Sequence, residues 1–201
     1  DSSFRVEGDR IVAGTYGAAA VAAGGEVLLR GICPSDLKVP LEEFQKAGAA
    51  VDADEENCQI RICMRKRPLP LLIKTEPYPG FPTDLQSPFM AFLATALGTS
   101  YIEEQVFEGR FATAKILEQM GAVIRTENQR AVIEGHYPLK GAAVNACDLR
   151  GGAALMVAAL AAEGDTFIGE CHHIERGYED ICRDMAALGA HIRWVENDFT
   201  R

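Results

Sequence analysis

Positive charge is in short supply in this chain. Its 201 residues carry 20 Lys and Arg against 29 Asp and Glu, a formal net charge of −9. That deficit argues against an extended surface for nucleic acid or an anionic membrane. An anionic ligand would need a local cluster of arginines or lysines. Long apolar runs are also missing: the longest, Gly151–Ala162 between Arg150 and Glu163, is too short to span a bilayer. Aromatic residues make up only 7%, with a single tryptophan. No signal peptide is visible, which predicts a cytoplasmic protein, and the start at Asp1 suggests an excised piece of a longer one. The six cysteines form no C-x-x-C pair and lie mostly in apolar or strand-like runs, so buried, reduced thiols are expected. In Cys171-His172-His173, strand geometry would let only Cys171 and His173 share an ion, and two ligands do not make a structural zinc site. No metal site is expected.

What the chain does have is apolar content, 48%, enough for a core and too much for disorder. It also has a threefold repeat. Lys46-Ala47-Gly48-Ala49, Gln119-Met120-Gly121-Ala122 and Ala187-Leu188-Gly189-Ala190 each close an amphipathic run, over Leu41–Ala47, Ala114–Met120 and Tyr178–Leu188. Glycine directly after a periodic helix is the expected left-handed cap. Strand-like alternation follows each cap, at Val123-Ile124-Arg125 and His191-Ile192-Arg193-Trp194 for example, and second strands are expected at Gln59–Cys63 and Arg130–Glu134. Upstream, Gly25, Gly98 and Gly164 stand 23, 23 and 25 residues before the capping glycines. Nearly all-apolar helices precede them: Tyr16–Ala23, Phe89–Leu97 and Ala153–Glu163. A helix apolar on every side must be buried on every side. The sequence therefore predicts an α/β domain over residues 1–201. Three βαβαββ-type units (about 1–75, 76–140 and 141–201) would pack their apolar helices centrally with sheets outside.

The repeat also places chemistry. Asp9 and Asp148 lie sixteen residues before Gly25 and Gly164, and Asp84 lies fourteen before Gly98. Each acid sits where a strand hands over to a buried helix. Arg110 and Arg176 lie twelve residues after Gly98 and Gly164, with Leu37 at that place in the first unit. Threefold packing would bring acids, arginines and helix N-termini to one rim, a setting suited to a phosphate or carboxylate. Plain readings compete. The acids could be helix N-caps, Arg150 could pair with Asp148 at the surface, and Glu103-Glu104 could be strand edge. Arg110 and Arg176 at helix starts would oppose the dipole, which points to a compensating anion.

Five strings in order carry a resemblance. They are Asp9-Arg10-Ile11 with Ala13-Gly14-Thr15-Tyr16, Phe81-Pro82-Thr83-Asp84-Leu85-Gln86, Val106-Phe107-Glu108-Gly109-Arg110-Phe111, Asp148-Leu149-Arg150, and His173-Ile174-Glu175-Arg176-Gly177-Tyr178-Glu179. Across essentially its whole length the chain resembles the enolpyruvyl transferases, in the branch that serves peptidoglycan synthesis. The resemblance implies an α/β prism and transfer of enolpyruvyl from phosphoenolpyruvate to the 3-hydroxyl of UDP-N-acetylglucosamine, by addition and elimination with release of phosphate. It implies no cofactor, since phosphoenolpyruvate is a substrate. By the same resemblance Asp84 is the general base that also contacts the sugar, and Val106 is a backbone contact to it. Arg176 grips phosphoenolpyruvate with Arg110 and Arg150 beside it, Asp148 is an active-site acid, and Asp9 and Arg10 lie at the domain entrance.

The chain departs from the pattern in places. Val12 stands where the family has Glu, and Gly109 stands where it has Asn, which is expected to loosen the turn presenting Arg110. The reactive-cysteine loop of the family's other domain has no counterpart, and Cys63-Met64-Arg65-Lys66-Arg67-Pro68 is not a substitute for it. The expectation is one domain of a two-domain transferase, inactive alone, with the first domain as its partner and without a short N-terminal strand. The alternatives are EPSP synthase-like chemistry of the shikimate branch and a non-catalytic module that binds a UDP-sugar or other anion.

Overall fold

The structure is a computed structural model and describes residue 3 and residues 6–195. Asp9 opens helix α1 (Arg10–Ala23) by accepting hydrogen bonds from the Ile11 and Val12 amides, and Gly24 closes it in the left-handed conformation. Strand β1 (Glu26–Arg30) follows, then a 3-10 turn at Pro34–Leu37, helix α2 (Lys38–Lys46), and the hairpin β2 (Ala50–Asp54) and β3 (Gln59–Cys63). The second unit repeats the order with β4 (Leu72–Lys74), a 3-10 turn at Thr83–Leu85, α3 (Gln86–Leu93), β5 (Thr99–Glu103), α4 (Ala112–Gln119), β6 (Val123–Glu127) and β7 (Arg130–Glu134). The third contains β8 (Leu139–Lys140), β9 (Ala143–Asn145), α5 (Leu149–Ala159), β10 (Ala162–Glu163), β11 (Phe167–Gly169), α6 (His172–Glu175) and α7 (Ile181–Ala187).

The sheets follow the repeat. In the second unit the order is β4-β5-β7-β6, with β4 parallel to β5 and the other pairs antiparallel. The first unit has β1-β3-β2, all antiparallel, with Leu29 opposite Ile60 and Val27 opposite Ile62. Among the described residues no strand takes the place beside β1 that β4 takes beside β5. The third unit has two short parallel pairs, β8 with β10 and β9 with β11. Alternation along β1, β3 and β7 turns one apolar face inward.

Helices α1, α3 and α5 touch one another pairwise at the centre, as the apolar patterning requires. Every residue of α3 is buried, and α1 and α5 are buried along most of their length. Alanine and glycine make up much of α1 and α5, so their backbones approach closely. Four of the nine phenylalanines cluster here. Phe44 on α2 stacks on Phe89 with centroids 4.6 Å apart, and Phe81 and Phe92 stand 4.8 and 4.9 Å from Phe89. Burying such rings contributes roughly 2–3 kcal/mol each relative to exposure.

Two polar contacts join the first and third units. Thr15 and Tyr178 hydroxyls lie 2.8 Å apart in the core, and the Tyr16 hydroxyl donates to Asp184 at 2.8 Å. Burial pushes the Tyr16 phenol well above its ordinary value, with the Asp184 carboxylate adding to the shift. Burial also raises Tyr178, while its Thr15 hydrogen bond and the nearby Arg150 guanidinium pull the other way.

The third unit differs from expectation in three places. The amphipathic helix expected over Tyr178–Leu188 is α7, beginning only at Ile181, because Asp180 caps it through the Arg183 amide and Gly177 interrupts the chain before it. Cys171-His172-His173 is a helical turn, not a strand: Glu170 takes φ 56° and turns the chain out of β11. The strand expected at His191–Trp194 is not formed. In the other units the matching strands, β2 and β6, bond only to β3 and β7, and no such partner follows among the described residues. The cysteines are also less buried than expected, Cys182 alone being fully buried and Cys147 exposed. Among the described residues no helix is long and apolar enough to cross a membrane.

Two measurements test this packing. A Cβ at Gly152 on α5 would clash with Ile174 Cγ1 and meet Ala146 Cβ at 3.0 Å, both in the core. Gly152→Val is expected to cost about 1–3 kcal/mol, read as a lowered denaturation midpoint at unchanged m-value. The second concerns alkaline pH. The unfolded chain's tyrosines titrate near 10, and Tyr16 and Tyr178 hold their protons more tightly when folded. Their contribution is complete below about pH 10 and is lost as pH rises from there through the raised folded values. Tyr16→Phe should make the fall in stability above pH 10 shallower in denaturant titrations; an unchanged slope refutes the assignment.

Candidate functional site

The three register-related acids have three different surroundings. Asp9 caps α1, and Asp148 caps α5 by accepting from the Gly151 amide at 2.7 Å. Both do what an Asp at a helix start ordinarily does. Asp84 does not. It lies inside the 3-10 turn ahead of α3, where Pro82 holds the cap position and no side-chain cap forms. Its two oxygens are taken by arginines from other segments: Arg110 Nη2 donates to Oδ1, and Arg150 Nη2 donates to Oδ2 at 3.2 Å. Arg150 therefore pairs across 66 residues with Asp84 and not with its neighbour Asp148. The Asp84 side chain remains 37% exposed and Arg150 only 16%. Nη1 of Arg150 is buried with no hydrogen-bond partner among the described residues. A buried charged donor left unpaired is costly, so an incoming anionic acceptor is favoured there.

Asp84 opens onto a cleft of about 290 Å³ whose lining includes Arg10, Thr83, Val106, Phe107 and Arg110. The Arg10 guanidinium lies 4.9 Å from the Tyr78 ring centroid, and that of Arg110 5.2 Å from Phe107. Arg10, Asp84, Val106 and Arg110 are thus brought together, with Arg150 behind Asp84. Arg176 is not drawn in by any contact. It follows α6, is exposed, and forms no ion pair or side-chain hydrogen bond among the described residues. It does not begin a helix, so the argument from an opposed dipole does not apply to it.

Glu104 is the residue that sequence reasoning missed. β5 lies between β4 and β7 and is not an edge, and the carboxylate just beyond its end is fully buried. Oε1 accepts from the Thr75 hydroxyl at 2.8 Å, the Val106 amide at 2.9 Å and the Phe107 amide at 3.1 Å, and Oε2 accepts from the Thr83 hydroxyl at 2.8 Å. The Gln105 amide donates to the same Thr75 hydroxyl. One signal was available: a second acid directly after the strand Thr99–Glu103, ahead of the Val106 segment.

The departures have local explanations. Gly109 has φ 70° with open space where a Cβ would stand. Glycine and asparagine are the residues that tolerate this conformation best, so Gly109 fits the turn and does not loosen it. Val12 is half-buried against the core on α1. In the Cys63–Pro68 string, Arg67 donates to the Thr95 and Ala96 carbonyls just past α3, a structural cap. Two groups of potential metal ligands occur among the described residues, Glu170-His172-His173 and Glu7-Cys33-Asp36, each with donor atoms within 4.8 Å. Cys171 is absent from the first, its thiol donating to the Ile168 carbonyl. None of these residues lines the Asp84 cleft.

Comparison with known proteins sets this geometry in a family. The family model for EPSP synthase (3-phosphoshikimate 1-carboxyvinyltransferase) matches residues 1–185. The chain belongs to the EPSP synthase and enolpyruvyl transferase family. Within it, the chain is 46% identical over 190 residues to the UDP-N-acetylglucosamine 1-carboxyvinyltransferase of Desulfofundulus thermocisternus, covering 94% of this chain and 77% of that protein. It is 45% identical over 195 residues to UDP-N-acetylglucosamine 1-carboxyvinyltransferase 1 of Legionella pneumophila (strain Lens), covering 97% of this chain but 38% of the relative. The enolpyruvyl transferase NikO of Streptomyces tendae superposes with a TM-score of 0.83 at 29% identity, over 94% of this chain and 44% of that one. EPSP synthase of Acinetobacter baumannii shares the fold, with a TM-score of 0.74 at 20% identity. The chain thus spans less than half of the Legionella relative and of both solved structures.

The Gly109 turn yields a direct check. Gly109→Asn should leave stability within about 0.5 kcal/mol, whereas Gly109→Val, β-branched at positive φ, should cost about 1–2 kcal/mol. Equal melting behaviour for the two variants would show that the turn is not held as described.

Proposed function

We propose that this chain forms the acceptor half of a transferase site that moves enolpyruvyl from phosphoenolpyruvate to the 3-hydroxyl of UDP-N-acetylglucosamine. The reading rests on one observation above the others. Of three acids in equivalent positions, Asp84 alone has its carboxylate released from helix capping and held by two arginines at the edge of a cleft. A base for a hydroxyl proton and cations for a phosphate are what the transfer requires at a single point.

In the ligand-free arrangement Arg110 and Arg150 neutralise Asp84. Phosphoenolpyruvate brings its own negative charges to those guanidiniums, and the carboxylate becomes available to the sugar hydroxyl. The hydroxyl oxygen then bonds to C2 of phosphoenolpyruvate as its proton passes to Asp84, and C3 takes a proton from a general acid of the completed site. Loss of phosphate from C2, with the proton that Asp84 accepted, and return of a C3 proton to that acid restore the double bond and both groups. Val106 contributes backbone to the sugar side of the cleft and Arg10 lies at its mouth. Arg176, exposed in this arrangement, is the grip for phosphoenolpyruvate that closure would bring in, and Asp148 holds α5 and Arg150 in register. A second domain of the same fold, with the reactive-cysteine loop, completes the site. The acceptor preference is supported by relatives named for UDP-N-acetylglucosamine at 45–46% identity.

The test is a chimera in which this chain replaces the matching region of the Legionella pneumophila relative, assayed for phosphate release from phosphoenolpyruvate. Turnover is expected with UDP-N-acetylglucosamine and not with shikimate 3-phosphate, and Asp84→Ala should lower it about a hundredfold or more. Turnover with shikimate 3-phosphate alone would move the assignment to the shikimate branch. Binding of the UDP-sugar without turnover would favour a non-catalytic module.

A further inference from the structure

We propose that Glu104 is a positioning residue: a buried strut that fixes the distance between the base Asp84 and the Val106 backbone, and so sets how the acceptor sugar is held. The inference rests on the acceptor-site reading above and goes beyond it, since Glu104 does not line the cleft and touches no reacting group. Its carboxylate is fully buried, and among the described residues no Lys or Arg pairs with it. All of its stabilisation comes from four hydrogen bonds. They run to two separate segments of the site's wall and to β4's end.

On one side, Oε2 accepts from Thr83, the residue directly before Asp84 in the 3-10 turn. On the other, Oε1 accepts from the amides of Val106 and Phe107 and from Thr75, whose oxygen in turn takes the Gln105 amide. One carboxylate thus ties the turn that presents the base to three consecutive amides of the opposite wall. The peptides involved are trans, so turning the Val106 and Phe107 N–H groups inward turns the Gln105 and Val106 carbonyls away from the buried carboxylate. Both carbonyls are thereby kept off Glu104, and the Val106 residue itself lines the cleft. Glu104 determines which backbone groups the acceptor meets, and through Thr83 it determines where the base stands relative to them. A charged acceptor suits the task, because bonds from amides and hydroxyls to a carboxylate are short and strong in a site that excludes water.

The experiment uses this chain, with amide hydrogen exchange read residue by residue and UDP-N-acetylglucosamine affinity read by calorimetry. In the unmodified chain the Gln105, Val106 and Phe107 amides should be protected although they lie in a loop. Glu104→Ala should speed exchange at Val106 and Phe107 about a hundredfold and weaken UDP-N-acetylglucosamine binding about tenfold or more, with the Ile102 and Ile133 amides unchanged. Glu104→Gln keeps a carbonyl oxygen for the two amides and places its NH2 against the Thr83 hydroxyl, which can turn to accept. It should rescue both readouts to within about threefold. If Glu104→Ala does not fold, Thr83→Val decides. It removes the hydroxyl arm to the base's turn and should weaken acceptor binding about threefold to tenfold while the Val106 and Phe107 amides stay protected. Since Thr83 also lines the cleft, Thr83→Ser, which keeps the hydroxyl, is the control and should bind as the unmodified chain does. Free exchange of Val106 and Phe107 in the unmodified chain would overturn the strut, as would unchanged affinity in a folded Glu104→Ala or Thr83→Val variant. If the unmodified chain binds no UDP-sugar, affinity is read instead in the chimera with the Legionella pneumophila relative; no binding there would sink the acceptor-site reading, while exchange would still decide for or against the strut.

Discussion

Helices α1, α3 and α5 have no polar face to give to water, and most of the molecule follows from that. Three helices apolar all round can be satisfied only by one another and by sheets laid over what remains exposed. Alanine and glycine on α1 and α5 bring the axes close, and the larger Phe89 and Phe92 on α3 fill the centre. Once the helices meet, their N-terminal ends share one rim, and whatever residues precede them are brought together without any contact having selected them. The site is a consequence of how the core closes.

Chemistry at that rim arises from unequal treatment of equivalent positions. Asp9 and Asp148 satisfy their own helices, and Asp84 sits one residue further from its helix and is spared that duty. Arg110 and Arg150 hold it, so an acidic chain with net charge −9 still presents a local pair of guanidiniums beside a cleft. Behind the rim Glu104 does the opposite, a buried anion compensated by hydroxyls and amides alone. Charge in this region is balanced on short range, residue by residue, in a way the overall composition does not convey.

Much of the fold could be read from the chain because its signals are local. Gly48, Gly121 and Gly189 all adopt the positive φ that a cap after a periodic helix demands. The second strands at Gln59–Cys63 and Arg130–Glu134 form at those residues. The third unit was harder to read, because α6 is a single turn whose four residues cannot show a helical period, and because the His191–Trp194 stretch alternates like a strand without a partner to make it one. Among candidate site residues, the strings include Arg10, Asp84, Val106 and Arg110, which meet at one cleft, but an Asp that caps its helix and an Asp held by distant arginines look alike in one dimension. Asp84 was separated from Asp9 and Asp148 only by Arg110 and Arg150, 26 and 66 residues away. Glu104 stayed hidden for the same reason: two of its four donors are hydroxyls 21 and 29 residues distant, and nothing near it in sequence announces them.

The contacts that join the first unit to the third, Thr15 with Tyr178 and Tyr16 with Asp184, change what kind of repeat protein this is. In a linear array each unit touches only its neighbours, and the terminal ones fray first. Here α1 meets α5 as well as α3, so the three units form a closed circuit with no terminal member. Loosening any one of them exposes the buried faces of both others at once. Such a molecule loses its structure as a single cooperative event, and the rim it carries is either complete or gone.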